Sequence, residues 1–335
     1  MFRTRLILGL IALVLLATAC GGSSSAGTTA PDESTPAPTT PSEITTATPD
    51  PPATTETATG FPVTIAASNG DIELAGIPNK IVSMSASHTE MLFAIGAGDQ
   101  VIAVDAFSNH PTGAPITDLT GFAPNVEAIV GYETDLVVTD GDWDGTSMGA
   151  LTELGVPVVI LPAALTLDDV YTQLEVLGAA TGHIGEAAEL VGQMETDIEE
   201  ILSSLPASDE PLTFYHELDA TYYSVTSETF IGQIYAAMGL VNIADAVSDG
   251  AFGYPQLSEE YILEQDPDLI LLADTVCCGM SAATLAERPG WGALAAVGTG
   301  AVVELNDDIA SRWGPRIVEY MGDVADAINA LRVNA

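Results

Sequence analysis

Side chains able to grip a ligand gather in short segments that each follow an aliphatic run. Ser85, Ser87 and His88 follow Ile81-Val82-Ser83-Met84, and Asp105 and Phe107 follow Val101–Val104. Asp142 and Trp143 come after Leu136-Val137-Val138. In the second half His216, Glu217, Tyr222 and Tyr223 follow Thr213-Phe214-Tyr215, Asp274 follows Leu269–Leu272, and Arg312-Trp313 precedes the last helical segment. Flat aromatic faces with a few polar groups suit a large, partly apolar ring or chelate. The competing role for each ring, Tyr215 included, is packing in the core or between halves of the chain. His88, His110 and His216 could give a metal centre an axial or polar contact, because neutral imidazole is a common metal ligand. Arg312 is one of only five basic residues beyond Arg5, so it would pair either with an anionic group of a ligand or with one of the many acids.

Other chemistries are weakened by pattern. Asp140-Gly141-Asp142-Trp143-Asp144-Gly145 copies the first half of a calcium-binding EF-hand loop, but position 151, where the closing glutamate belongs, is Leu151. Cys277 and Cys278 are adjacent, which leaves a vicinal disulfide or two thiols as alternatives and lacks the second pair that a zinc site needs. No nucleophile elbow, HExxH helix, Walker loop or Gly-rich phosphate loop is present. The expectation is a site that binds without catalysis, with no catalytic residue, no resident metal and no cofactor.

These loops need a scaffold. Aliphatic runs of three to six residues alternate with segments of helical spacing, from Ile81–Met84 through Glu90–Gly96, Val101–Val104, Asn125–Val130, Leu136–Val138, Leu151–Leu154 and Val156–Leu161. That alternation implies parallel strands in a layered α/β domain. The second half echoes the first. Glu127 stands eight residues before Asp135-Leu136, as Glu260 stands eight before Asp268-Leu269, and Leu151…Gly155-Val156 is matched by Leu294…Gly298-Thr299. Two related lobes are the simplest reading. Between them, Ala187, Leu190, Val191, Met194, Ile198 and Leu202 recur at helical intervals within 183–205, a helix of about 33 Å that could act as a strut. In open parallel sheets ligands lie beyond the carboxyl ends of the strands, and that rule by itself selects the loops named above.

The chain has 335 residues, 47% hydrophobic, with 7 Lys+Arg against 47 Asp+Glu and a formal charge of −40. The apolar fraction supports packed cores, and the length suggests about two domains. So negative a chain repels phosphate, which argues against nucleic acid and against broad contact with anionic lipid. Arg3 and Arg5 precede Leu6–Ala19, an uncharged run too short to span a bilayer but suited to a secretory signal. It ends Ala17-Thr18-Ala19-Cys20, similar to a bacterial lipobox, with Ala17 in place of the usual leucine; lipidation of Cys20 would hold the protein on the outer face of a membrane. Residues 20–60 are rich in Thr and Pro, contain no Lys or Arg, and read as a solvated tether.

Pro78-Asn79-Lys80-Ile81-Val82-Ser83-Met84-Ser85 with Thr89-Glu90 and Gly96-Ala97-Gly98, then Asn125-Val126-Glu127-Ala128-Ile129, Asp266-Pro267-Asp268-Leu269-Ile270-Leu271 and Gly314-Pro315-Arg316, in that order, resemble the substrate-binding proteins of ABC importers for iron–siderophores, haem and cobalamin. The resemblance covers about residues 62–333. It implies an α/β fold of two Rossmann-like lobes with central, mostly parallel sheets, joined by one long helix, with ligand between the lobes and a small hinge motion. The boundaries expected are a signal peptide at 1–19, the tether at 20–60, an N-terminal lobe at 61–165, a connecting segment at 166–205 and a C-terminal lobe at 206–335. The implied partners are an ABC permease with its cytoplasmic ATPase and a metal-chelate small molecule, an iron–siderophore or a cobalamin-like corrinoid; the alternatives are a receptor for a free transition-metal ion and an extracytoplasmic enzyme on the same fold. Monomeric behaviour is expected. Glu127 and Glu260 each lie two residues after a capping Asn125 or Ser258, where an acid favours the helix dipole without any partner. In the resembling family, a glutamate at each of these matched positions docks on permease arginines.

Overall fold

Short runs of Val, Ile and Leu that are apolar at every position must be buried on both faces, as in a parallel sheet. The computed structural model describes residues 60–247 and 251–334; the signal peptide, Cys20 and the tether up to residue 59 lie outside them. In the N-terminal lobe β1 (Val63–Ala67) and β2 (Gly70–Leu74) form an antiparallel hairpin. A parallel sheet of order β4-β3-β5-β6 is built from β3 (Ile81–Ser83), β4 (Val101–Val104), β5 (Leu136–Thr139) and β6 (Val158–Ile160). Helices α1 (Ala86–Ala94), α2 (Val126–Gly131) and α3 (Ser147–Glu153) make the crossovers. Every residue of β3, β5 and β6 is buried. The hairpin turn covers the open edge of β6: Ser68 N–H donates to Ile160 O at 3.0 Å and Asn69 Nδ2 to Val158 O at 2.9 Å.

The connection is α4 (Leu167–Thr181) followed by α5 (Ile184–Ser204). Thr166 and Asp169 start α4 with reciprocal capping bonds, and Gly182 at φ 83° ends it. Gly178 lets the two helices approach, since a Cβ there would sit 2.5 Å from the Ala187 Cβ. On α5, a 21-residue helix, the expected stripe is buried at Ala187, Val191, Met194 and Ile198.

The C-terminal lobe has β7 (Thr213–Glu217), α6 (Phe230–Ala237), β8 (Val241–Asn242), α7 (Glu259–Gln265), β9 (Leu269–Leu272), α8 (Thr275–Cys278), α9 (Ala282–Ala286), α10 (Ala295–Thr299), β10 (Val302–Glu304), α11 (Asp307–Ala310) and α12 (Ile317–Asn334). Its parallel sheet runs β10-β9-β7-β8. Numbered within its own lobe, each sheet reads second, first, third, fourth strand, so the sequence echo is an echo of topology. One apolar core runs from Ile81 and Leu136 through Leu174, Val191 and Met194 to Leu269 and Val324, and a second lies on the other face of the N-terminal sheet around Val82, Val137 and Ile129. The pattern is two α/β lobes with mostly parallel sheets, joined through α4 and α5.

Two of the boundaries that differ from the sequence reading concern candidate residues. Helix α1 starts at Ala86, so Ser87 and His88 are helical rather than in a loop. Strand β7 continues through His216 and Glu217, which keep register with Leu271 and Leu272 of β9. A polar pair ends an aliphatic run in the sequence, but it does not end a backbone ladder.

Candidate functional site

The carboxyl ends of both sheets face a common cleft. Its cavity of about 530 Å³ takes residues from the ends of β3, β4, β5, β7 and β9 and from the segment after β10. From the N-terminal lobe come Met84, Ser85, Ser87, Asp105, Phe107, Phe122, Asp140 and Trp143; from the C-terminal lobe come Leu218, Ala273, Cys277, Asp307, Asp308, Ser311, Arg312 and Trp313. Phe107, Phe122 and Trp143 are 60%, 66% and 61% exposed, large apolar faces left open to solvent on one wall. The Trp143 indole N–H donates to Asp140 Oδ1 at 3.0 Å, and its ring stands 6.0 Å from that of Phe122. Gly121 is held against the end of β3, where a Cβ would lie 2.7 Å from Met84 O. Asp105 is buried, accepts the Ser108 hydroxyl at 2.5 Å, and is pushed up chiefly by desolvation.

The floor of the cleft is an ionic knot between lobes. Glu90 on α1 is buried and accepts Arg312 Nη1 at 2.8 Å and Arg316 Nε at 2.8 Å. Arg312 also donates to Phe107 O at 3.0 Å and Asp308 Oδ1 at 2.8 Å. Nearby, Asn109 Nδ2 reaches Asp308 Oδ2 at 2.7 Å, and Trp313 Nε1 reaches Gln173 Oε1 at 3.0 Å. Arg312 therefore lines the cavity with its charge already committed to two acids.

Several candidates lie away from the cavity surface. His88 is fully buried, with Nε2 3.0 Å from Gln173 Oε1 and its ring edge-on to Trp313; burial pushes its pKa down. His216 is fully buried, 2.7 Å from the Tyr235 hydroxyl, and burial pushes it down to about 3. His110 is half-buried before a cis peptide bond to Pro111 and does not line the cavity. Glu217 is fully buried in a two-pronged pair with Arg288 at 2.6 and 2.7 Å. Tyr222 stacks on Trp291, ring centres 5.9 Å apart, with the Arg288 guanidinium 4.7 Å from the Trp291 ring. Tyr223 is exposed beside Gln256, outside the cavity. Asp142 accepts the Met148 N–H at 3.4 Å and faces a groove along β6. Asp274 is fully buried behind Ala273, against the Glu217 carboxyl, to which it can donate only when protonated; burial, then the Glu217 charge, pushes it up to about 7. Tyr215 is core, against Trp291.

The structure thus brings Ser85, Ser87, Asp105, Phe107, Trp143, Arg312 and Trp313 together around one cavity. It adds Phe122, Asp307 and Asp308, which sequence reasoning missed. The strand-end rule applied to β10 would have found the two aspartates. Phe122 carried no local signal, since its loop follows β4 at a distance. Cys277 and Asp140 fell within loops the rule selected, and Cys277 is joined to Cys278 in a disulfide. The described basic residues are all engaged: Lys80 with Glu133, Arg288 with Glu217, Arg312 and Arg316 with Glu90, and Arg332 with the Glu210 carbonyl. Among the described residues no group of three His, Cys, Asp or Glu side chains converges as a metal ion would need.

Known proteins resemble this chain in sequence and fold. The chain is 30% identical over 277 residues to the "Uncharacterized ABC transporter substrate-binding lipoprotein YvrC" of Bacillus subtilis (strain 168), covering 80% of this chain and 86% of that protein. It is 33% identical over 282 residues to a "Cobalamin-binding protein" of Halobacterium salinarum (strain ATCC 29341 / DSM 671 / R1), covering 80% and 74%. The solved "Periplasmic heme-binding protein RhuT" of Roseiflexus sp. RS-1 shares the fold, with a TM-score of 0.65 at 22% identity over 76% of this chain and 99% of that one. With the Periplasmic binding protein profile matching residues 81–309, the chain belongs to the periplasmic binding protein family, as an extracytoplasmic substrate-binding protein of an ABC transporter and not an enzyme.

Proposed function

We propose that this protein captures a cobalamin-like corrinoid in the cleft between its lobes and delivers it to an ABC import permease. The observation that carries the reading is the pairing of three open aromatic faces with acceptor-rich acids, while the described cations are already engaged. A corrin presents a flat apolar ring fringed by uncharged amides. The ring suits Phe107, Phe122 and Trp143, and amide N–H groups suit the lone pairs left over on Asp140, Asp307 and Asp308, whose carboxylates already accept Trp143, the Val276–Cys277 turn, and Arg312 with Asn109. Haem would instead bring two carboxylates to a cleft with no uncommitted cation among the described residues, which is costly. The relative named as a cobalamin-binding protein supports the same choice. The acids also favour a second ligand, a neutral or cationic ferric hydroxamate. A free metal ion is less favoured, because His88 and His216 are enclosed by other partners.

The rest of the reading follows the chain outward. Cys20 carries the lipid and residues 20–60 tether the body, so one monomer samples the membrane surface. Glu127 and Glu260, both exposed at the second position of α2 and α7, dock on permease arginines. Each helix leads into the amino end of a strand, so its own amino end lies on the cleft-bearing edge of its lobe. Fluorescence titration tests the ligand. Cyanocobalamin is expected to quench Trp143 and Trp313 with a Kd of micromolar or tighter, ferrioxamine less, and hemin, Zn²⁺ or Co²⁺ not at all. Saturable quenching by hemin or a bare ion, with none by cyanocobalamin, overturns the corrinoid reading.

A further inference from the structure

The two walls of the cleft differ. The N-terminal wall offers three open rings, but on the C-terminal wall Ala273 is buried, Leu218 is half-buried, and Trp313 is half-buried and tied to Gln173. Asp307, Asp308 and Arg312 are polar. The exposed soft surface left on that side of the cavity is Cys277, bonded to Cys278. The pair sits on a turn that is well anchored. The backbone N–H groups of Val276 and Cys277 donate to the Asp307 carboxylate at 2.7 and 2.6 Å, and the Thr275 hydroxyl donates to Leu305 O. A disulfide between neighbours closes an eight-membered ring, so the polarisable Cys277 sulfur that lines the cavity, tied to Cys278 beside it, has no rotamer freedom left to lose on binding.

We propose that the Cys277–Cys278 disulfide is the ligand-gripping surface of the C-terminal lobe, set against Phe107, Phe122 and Trp143, and that opening it to the dithiol loosens the ligand. This rests on the metal-chelate reading above. Opening by a dithiol reductant is balanced: one S–S bond breaks, two electrons and two protons pass to the cysteine sulfurs, and the reductant closes its own disulfide. The two side chains then regain rotamer freedom that binding must remove again, for an expected affinity loss of about 10-fold.

The experiment uses the exported protein, cyanocobalamin and ferrioxamine as probes. Kd is measured for the oxidised protein, for the same protein reduced with dithiothreitol and desalted under argon, and for the Cys277→Ser/Cys278→Ser double variant, with circular dichroism confirming the fold of each. Mass spectrometry after alkylation under denaturing conditions counts free thiols at the two positions. A closed disulfide, with Kd raised about 10-fold on reduction and in the double variant, supports the proposal. Two free thiols in the exported protein overturn it, and so does an unchanged Kd in both altered forms while a probe still binds. Failure of the oxidised protein to bind either probe overturns the metal-chelate reading and this proposal with it.

Discussion

Asp274 is the residue whose charge the fold controls most directly. Its carboxyl is buried against that of Glu217 and pushed up to about 7 by desolvation and by Glu217, against about 3.9 in an unfolded chain. Between those values the folded protein keeps a proton that the unfolded chain has released. This group therefore favours folding at low pH, and its contribution is lost as pH rises through about 7. His216 acts in the opposite sense. Burial pushes it down to about 3, so the unfolded imidazole takes a proton first, and the stability carried by neutral His216 is full above about 6.5 and lost as pH falls toward 3. The opposing slopes mean that a wild-type profile does not isolate either group, whereas a difference does. Asp274→Asn is expected to be more stable than wild type by about 1–3 kcal/mol at pH 8, with the gain vanishing near pH 4.5. Urea unfolding at the two pH values checks this; an equal gain at both would show that ionisation of Asp274 is not the cause.

At the scale of elements, α1 and the segment that leads into α12 form the joint between lobes. Glu90 sits mid-helix in α1 because its neighbours Met91 and Leu92 must face the core, and that placement aims its carboxylate at Arg312 and Arg316. Removing one partner of a buried ion pair leaves a stranded charge, at a cost of about 3–5 kcal/mol, whereas removing both is milder. Glu90→Gln is expected to fall in that range by urea unfolding, and Arg316→Met near its lower end. Their double variant should cost less than the sum of the singles; strict additivity would mean that the knot does not couple the lobes. The apolar core that runs through α4 and α5 already ties the same lobes together, so these variants should loosen the joint without separating it.

For the whole molecule, charge governs encounter. A formal charge of −40 on a chain with seven basic residues gives long-range attraction to any basic surface, but it does not choose an orientation. Under the proposed docking, two exposed glutamates at matched positions, one per lobe, supply the register, since rim charges steer and align more than they tighten. Glu127→Lys/Glu260→Lys is expected to abolish ligand uptake in cells while leaving Kd for the probe within about 2-fold, as befits residues outside the cavity. Uptake assays beside equilibrium titration separate the two effects, and transport that survives the double change removes these residues from docking.

Much of this protein was legible as pattern. Parallel strands buried on both faces need unbroken aliphatic runs, so Ile81–Ser83, Leu136–Thr139 and Leu269–Leu272 announce themselves, as do the 3.6-residue stripe of Ile184–Ser204 and the echo between lobes. Strand ends then point to Ser85, Asp105, Phe107 and Trp143 without any coordinates, because the rule for open sheets is topological. Burial was another matter. His88, His216, Glu217 and Asp274 look like loop residues when only the next few positions are known, yet each is enclosed by partners far along the chain: Gln173, Tyr235, Arg288, and for Asp274 the Glu217 carboxyl. Local spacing determines which backbone segments become strand or helix, since those forces act over a few residues. Whether a polar side chain faces ligand or core depends on contacts 19 to 85 residues away in sequence, and only the assembled fold decides that.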